Sequence, residues 1–176
     1  MTIKKKIIFL IFVALLVFHK KTIAQDKEKI FTIYLVRHSE KDLSSKSSSN
    51  PKLTNCGKLR AKNLENFLRD TNIDAVYSTD YIRTMNTAIP TAVSKGLGIT
   101  NYDSKDLVLF SKKLISLKQD ALVVGHSNTT GVLAGLLVGE KIGEFDLSEY
   151  DRIYQVVIYR NSAKLNLQRS DFVCKN

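Results

Sequence analysis

The sequence predicts an α/β fold: a three-layer α/β/α sandwich with a largely parallel central sheet. Two observations carry this. Short runs rich in β-branched and aromatic residues alternate along the chain with segments of helical apolar period, the pattern of βαβ units and parallel strands. Two of those runs, residues 30–36 and 121–124, are apolar with almost no alternation, as strands covered on both faces must be. The chain has 176 residues, 44% of them hydrophobic, enough for one sizeable core and too little for two.

The first segment stands outside that domain. Lys4, Lys5 and Lys6 precede an apolar run over residues 7–18, and Thr22-Ile23-Ala24 carries the small residues that a signal peptidase prefers. Residues 1–24 therefore read as a signal peptide and 25–176 as the domain, and the protein is expected to be exported to a periplasmic or extracellular location. The apolar run is shorter than the roughly 20 residues of a bilayer span, so a membrane contact is expected only if the leader stays uncleaved. Lysines 4, 5, 6, 20 and 21 leave with it, and the net charge falls from +10 to +5. That residue of positive charge suits an anionic substrate. The lysines are scattered and no aromatic-rich basic stripe accompanies them, so no nucleic-acid partner is expected. Cys56 and Cys174 are free to pair in an oxidising compartment, but their spacing does not show that they meet.

Within the domain, residues 30–36 form the first strand, with Arg37 and His38 at its C-terminal end. From Lys41 to Asn55 the chain has five serines and Pro51 but no apolar period, and it reads as a mobile loop. A helix begins near Gly57, with Thr54 placed to cap it and Ala61, Leu64, Phe67 and Leu68 on one face. Residues 74–77 form a second strand. Asp80 is placed to cap the next helix, in which Ile82, Met85, Ile89 and Val93 share a face and Pro90 introduces a kink. Residues 99–102 make a third strand, followed by a helix with Leu107, Phe110, Leu114 and Leu117 inward. The strand at 121–124 leads into Gly125-His126, a helix containing Val132, Leu133, Leu136 and Leu137 follows, and strand-like runs at 153–159 and 165–167 close the chain.

Open parallel sheets bind ligands at the C-terminal ends of their strands. Arg37-His38, Ser78-Thr79-Asp80 with Arg83, Asp103, and Gly125-His126 each follow an expected strand, so all can converge on one edge. Those residue types suit phosphoryl transfer, which needs an in-line nucleophile, donors around the equatorial oxygens and a proton for the leaving group. A neutral imidazole attacks phosphorus when one ring nitrogen is held by a hydrogen bond and the other is exposed. Arg37 and Arg83 offer planar forks that match phosphate oxygens. His126 can donate to the same oxygens, and the helix after it adds backbone donors and a favourable dipole.

Arg37-His38-Ser39-Glu40 resembles the Arg-His-Gly-Glu signature of the histidine phosphatase superfamily, in its phosphoglycerate mutase-like branch. Three further pieces agree in order: Leu53-Thr54 with Gly57 and Arg60-Ala61; Ser78-Thr79-Asp80-Tyr81-Ile82-Arg83 continuing to Thr87-Ala88; and Val123-Val124-Gly125-His126-Ser127-Asn128-Thr129. The likeness runs from about residue 30 to 138. It implies a phosphoric monoester hydrolase, similar to the histidine acid phosphatases, in which His38 is transiently phosphorylated and Arg37, Arg83, His126 and Ser127 hold the phosphate. It implies a small phosphorylated substrate, no cofactor and no metal. Ser39 replaces glycine, one small residue for another. Larger relatives carry a glutamate proton donor between the second arginine and second histidine, whereas no glutamate occurs here between Glu65 and Glu140. Asp103 is the nearest substitute, though it reads equally as a helix N-terminal carboxylate; Glu40 is the alternative, at a position that more often orients the loop. The 152 residues left after the leader leave little room for a substrate-specific cap. That resembles the small, open-sited members, some of which act on phosphohistidine in proteins; export favours small phosphomonoesters.

Other readings are weaker. Arg60 is expected on an exposed helix face, and Thr87 and Ala88 against the sheet. Gly125-His126-Ser127-Asn128-Thr129 nearly spells a hydrolase nucleophile elbow, but Thr129 stands where the turn needs glycine and no histidine follows Ser127. Cys56 has Lys62, not arginine, six positions on, which excludes a cysteine phosphatase loop. No His-Glu-x-x-His run exists. A non-catalytic domain that binds phosphorylated ligands in the same pocket stays open because the glutamate is missing, as does a phosphoglycerate mutase-like phosphotransferase.

Overall fold

The computed structural model describes residues 29–44 and 49–174. The expected leader, residues 1–24, lies outside them. The elements follow in the order β1 (Phe31–Arg37), α1 (Asn55–Phe67), β2 (Ala75–Ser78), α2 (Ile82–Ser94), β3 (Ile99–Asn101), α3 (Leu107–Leu117), β4 (Ala121–Gly125), α4 (Thr130–Val138), β5 (Arg152–Tyr159) and β6 (Ser162–Arg169). They form one sheet in the order β3-β2-β4-β1-β5-β6. The first four strands in that order run parallel, each linked by a helical crossover; β5 and β6 are antiparallel. A hairpin turn reverses the chain, so β6 runs antiparallel to β5, while β5 itself enters antiparallel to β1 after the connection over residues 139–151.

Alternate residues of the central strands serve the two faces. Tyr34, Val36, Val76, Leu122 and Val124 meet Leu64 and Leu68 of the α1 region and Ala88 and Ala92 of α2. Ile33, Leu35, Tyr77, Ala121 and Val123 meet Phe110 and Leu114 of α3 and Leu133, Ala134 and Leu137 of α4. Helices on both faces explain why β1 and β4 read as continuous apolar runs. The sandwich is thus of the predicted kind.

Thr54 caps α1 as expected, its hydroxyl oxygen accepting from Gly57 N at 2.9 Å. The reading of α2 needs two corrections. Asp80 does not cap it; Asn50, from the serine-rich connection, accepts from Ile82 N at 2.9 Å instead. Nor does the Ile82, Ile89, Val93 stripe face the core: those residues are 38%, 42% and 74% exposed, while Thr84, Thr87, Ala88, Thr91 and Ala92 are buried. The helix lies close against the sheet, and small residues with self-satisfying hydroxyls allow that approach. Thr87 donates to Arg83 O at 2.8 Å and Thr84 to Tyr81 O at 2.9 Å. Phe67 and Leu117, expected inward, are largely exposed because they end their helices.

Cys56 and Cys174 form a disulfide, Cα to Cα 5.7 Å, across 118 residues of sequence. A covalent loop of that length restrains the unfolded chain by about 4–5 kcal/mol in the chain-entropy model. No helix among the described residues is long and apolar enough to cross a membrane.

The α2 packing makes a prediction for urea unfolding. Val93→Lys is expected to change stability by less than about 0.5 kcal/mol, whereas Ala88→Leu, which overfills the contact with the sheet, is expected to cost about 1–3 kcal/mol.

Candidate active site

The register of β1 against β4 builds the site. The two strands pair in parallel with Val36 opposite Val124 and Arg37 opposite Gly125. His38 N then donates to Gly125 O at 2.9 Å, one bond past the end of the ladder. The residues that follow are His38 on one strand and His126 on the next, and their ring centroids lie 5.5 Å apart. The site is tight at Gly125: a Cβ there would lie 2.6 Å from the Tyr102 hydroxyl oxygen and 3.0 Å from Thr129 Oγ1, so a larger residue would displace those side chains.

His38 is 3% exposed. Its Nδ1 lies 2.8 Å from Ser39 O. A carbonyl only accepts, so Nδ1 carries the proton and the lone pair is on Nε2. Burial, first, and the charges of Arg37, Arg83 and His126 lower its pKa to about 3, against the raising effect of the Ser39 hydrogen bond. The ring is therefore neutral near pH 7. Ser39 is held in turn from α2, its N–H donating to Thr87 Oγ1 at 2.9 Å.

Arg37 lies under the site. Its Nη1 donates to Leu147 O at 2.7 Å and Glu149 O at 2.9 Å, and its Cζ lies 4.0 Å from the centre of the Tyr150 ring. The loop supplying those groups is anchored to the terminal hairpin: Glu149 pairs with Arg152 at 2.7 Å and Arg169 at 3.0 Å, and Asp151 with Arg169 at 2.9 Å. Arg83, in the first turn of α2, lies with Cζ 4.3 Å from the centre of the Tyr81 ring. Among the described residues, the buried Nε atoms of Arg37 and Arg83 meet no acceptor. Buried donors without partners are uncommon, and two in one site suit an anion with several oxygens. Burial lowers the pKa of both guanidiniums, and each opposes the other's charge or that of the histidines.

His126 completes the group. The Thr79 hydroxyl lies 3.1 Å from its Nε2 and donates to Thr84 Oγ1 at 3.0 Å, so it accepts from the ring. Tyr81 packs edge-on, 5.2 Å between centroids. Burial, then the charges of Arg83, Arg37 and Lys41, lower the His126 pKa to about 4.

These side chains open into a cavity of about 400 Å³. Arg37, Lys41, Arg83 and Lys105 line it together with both histidines, and no carboxylate is among the lining residues. Four of the five main sequence candidates, Arg37, His38, Arg83 and His126, converge there, and Ser127 joins them. Asp103 is not brought to the cavity wall. It is exposed, and its Oδ1 accepts from Lys105 N at 2.8 Å in a local turn, while Ser104 and Lys105 line the cavity. Glu40 is also turned elsewhere, paired with Arg60. The sequence reading missed Tyr150, Lys41 and Lys105, and it named Thr79 and Tyr81 only as members of the fragment that carries Arg83, with no role of their own. Tyr81 and Thr79 stand inside the fragment that carries Arg83, so their neighbourhood was a signal; Tyr150 follows no strand and had none. Among the described residues, one group has metal-donor geometry, Glu40 with Cys56 and Cys174, but its sulfurs are joined in the disulfide.

The model of the histidine phosphatase superfamily (branch 1) matches residues 33–105, from β1 to the loop after β3. A search among curated proteins finds no match. Among solved structures, the protein histidine phosphatase SixA in complex with tungstate is similar with a TM-score of 0.68 and 20% identity, covering 80% of this chain and 97% of that one. An Escherichia coli K-12 protein described as an alpha-ribazole-5'-P phosphatase gives 0.67 and 17%, covering 83% and 99%. The mycobacterial glucosyl-3-phosphoglycerate phosphatase gives 0.66 and 11%, covering 81% and 100%. At these identities the likeness is one of fold.

The two depressed histidines set a pH dependence. An unfolded histidine takes up a proton near pH 6.5, while His38 and His126 do so only near 3 and 4 in the fold. The stability gained from keeping them neutral is complete above about pH 6.5 and is lost as the pH falls towards 4. The thermal midpoint should drop over that interval, less steeply in His38→Gln, and ring nitrogen NMR should find both imidazoles unprotonated at pH 5.

Proposed function

We propose that this protein is a phosphatase that hydrolyses phosphomonoesters through a phosphohistidine on His38. One observation carries the reading: an imidazole whose Nδ1 is fixed by the Ser39 carbonyl faces two guanidiniums with unmet donors and a second imidazole, in a cavity without carboxylates. The superfamily model over residues 33–105 supports it.

The phosphate of the substrate takes the Arg37 and Arg83 donors. Its negative charge opposes the burial and the Arg83, Arg37 and Lys41 charges that hold the His126 pKa down, which favours a protonated His126 that donates to a phosphate oxygen. His38 Nε2 attacks phosphorus in line, the bond to the leaving oxygen breaks, and that oxygen takes a proton from water or from His126. Water then attacks phosphorus, the P–N bond breaks to restore the Nε2 lone pair, and the proton water loses returns to His126 or, where water protonated the leaving oxygen, to solvent as phosphate leaves.

Among the described residues no carboxylic acid lines the cavity, so leaving groups that need little protonation are favoured. Aryl phosphates, acyl phosphates and the P–N bond of phosphohistidine fit that demand. The similar structures are described as phosphatases of protein histidine, of alpha-ribazole-5'-P and of glucosyl-3-phosphoglycerate; the shared fold does not choose among them. Lys41 and Lys105 make the rim positive and favour small anionic substrates. The Cys56–Cys174 bridge supports an oxidising compartment, in agreement with the leader-like residues 1–24.

Turnover of p-nitrophenyl phosphate is the direct test. His38→Ala is expected to lose more than about 1000-fold in kcat and the acid-labile phosphoenzyme, and Arg83→Lys about 100-fold. Equal turnover by His38→Ala would remove the nucleophile assignment; phosphate binding without turnover of any ester would favour a binding domain. Asp103→Asn keeps the turn but not the acid: unchanged hydrolysis of alkyl phosphates is expected, and a selective loss on them would make Asp103 the proton donor.

A further inference from the structure

The Cys56–Cys174 bridge lies beside the nucleophile loop, and nothing in the phosphoryl-transfer chemistry uses it. Cys56 is the second residue of α1, and Cys174 lies in the tail that follows β6. Arg60 stands where that tail meets Glu40, expected from the sequence to be solvated but only 12% exposed at its side chain. Its Nε donates to Glu40 Oε1 at 2.8 Å and Oε2 at 3.0 Å, and its Nη2 donates to Oε1 at 2.7 Å. Its Nη1 donates to Phe172 O at 3.1 Å and Ser170 Oγ at 3.4 Å, and the Phe172 ring centre lies 5.0 Å from Cζ. Cys174 Sγ lies 3.1 Å from Glu40 Oε1. All three guanidinium nitrogens are occupied, one by the tail and two by Glu40.

Glu40 is two residues from His38. Its carbonyl accepts from Thr54 N at 2.9 Å, and it lies so close to Gly57 that a Cβ there would be 2.3 Å from Glu40 O. The Ser39 carbonyl that fixes the His38 tautomer belongs to the peptide unit joining Ser39 to Glu40. Whatever holds Glu40 therefore aims that carbonyl, and through it the imidazole.

We propose that Arg60 is a positioning residue for the His38 loop and that segment 170–174, closed by the disulfide, is the strap that keeps Arg60 in place. The inference rests on His38 being the nucleophile. Ser170 stays held by its N–H on Asp151 O at 2.9 Å, so opening the bridge frees the tail beyond it, removes the Phe172 carbonyl and ring from Arg60, and loosens the Ser39–Glu40 peptide. The grips on Arg37 come from Leu147, Glu149 and Tyr150, not from the tail, so substrate binding is spared while attack is slowed.

The test compares the full-length chain with the bridge closed and opened. A dithiol supplies two electrons and two protons to the S–S bond, leaving two thiols, and itself closes to a cyclic disulfide. At a temperature where circular dichroism shows the reduced chain folded, kcat for p-nitrophenyl phosphate is expected to fall about tenfold with KM changed less than about twofold. The double variant Cys56→Ser, Cys174→Ser should match. Arg60→Ala should show the same fall and no further fall on reduction, while Arg60→Lys recovers part of it. An unchanged kcat, a change in KM alone, or effects of Arg60→Ala and reduction that multiply would each overturn the proposal. If the opened chain does not stay folded, Phe172→Ala with the bridge intact decides: a fall in kcat of about threefold supports the strap, and no change rejects it. The ring nitrogen spectrum of His38 needs no turnover. A shift on reduction supports the strap and an unmoved spectrum refutes it, whereas absence of turnover in the oxidised chain counts against the phosphatase reading.

Discussion

The parallel pairing of β1 with β4 is the contact on which the site depends. It sets Arg37 opposite Gly125 and lets His38 N reach Gly125 O, so the two strands release their histidines at the same height. A one-residue slip would send alternate side chains to the wrong layer, and both layers are filled by helices that could not accept them. The apolar core thus does two jobs at once: burying Leu35, Val36, Val123 and Val124 also sets the separation of the two imidazoles.

What that pairing assembles is electrostatically costly. Two arginines and two histidines share a partly buried space with no carboxylate on its wall. The fold accommodates this by making the imidazoles neutral and by giving Arg37 carbonyls and an aromatic face rather than an acid. The acids are set one layer back, where Glu149 and Asp151 take Arg152 and Arg169 and Glu40 takes Arg60. A bound phosphate relieves the repulsion, and a ligand that binds only the folded state stabilises it by mass action. Strain at an unliganded site is a common accompaniment of function.

Much of this was legible in the sequence, and the reasons differ by element. Continuous apolar runs identified β1 and β4 because a strand covered on both faces leaves no polar period. Arg37, His38, Arg83 and His126 were legible because each stands just after a strand, where open sheets bind ligands. The buried face of α2 was misread because hydrophobicity was taken as the signal, whereas distance from the sheet selected Thr84, Ala88 and Ala92 over Ile89 and Val93. Asn50 as the cap of α2, Tyr150 under Arg37 and the partnership of Arg60 with Phe172 all join parts of the chain far apart in sequence. Local patterns carry no trace of such contacts. The disulfide belongs with them, since two cysteines show a possible bridge and only the fold brings the sulfurs together.

The bridge also divides the molecule. Joining Cys56 to Cys174 closes a covalent ring that contains every described element from α1 to β6, while β1 remains outside it. Yet β1 is the wedge between β4 and β5, and it leads directly into His38. A protease cut within the ring leaves one covalent molecule with all its pieces. A cut in the connection between β1 and α1 leaves the His38 strand held by hydrogen bonds and packing alone, and its departure would split the sheet into β3-β2-β4 and β5-β6. Loss of His38 and loss of the sheet are then a single event, so a truncated chain has no way to keep the scaffold without the site.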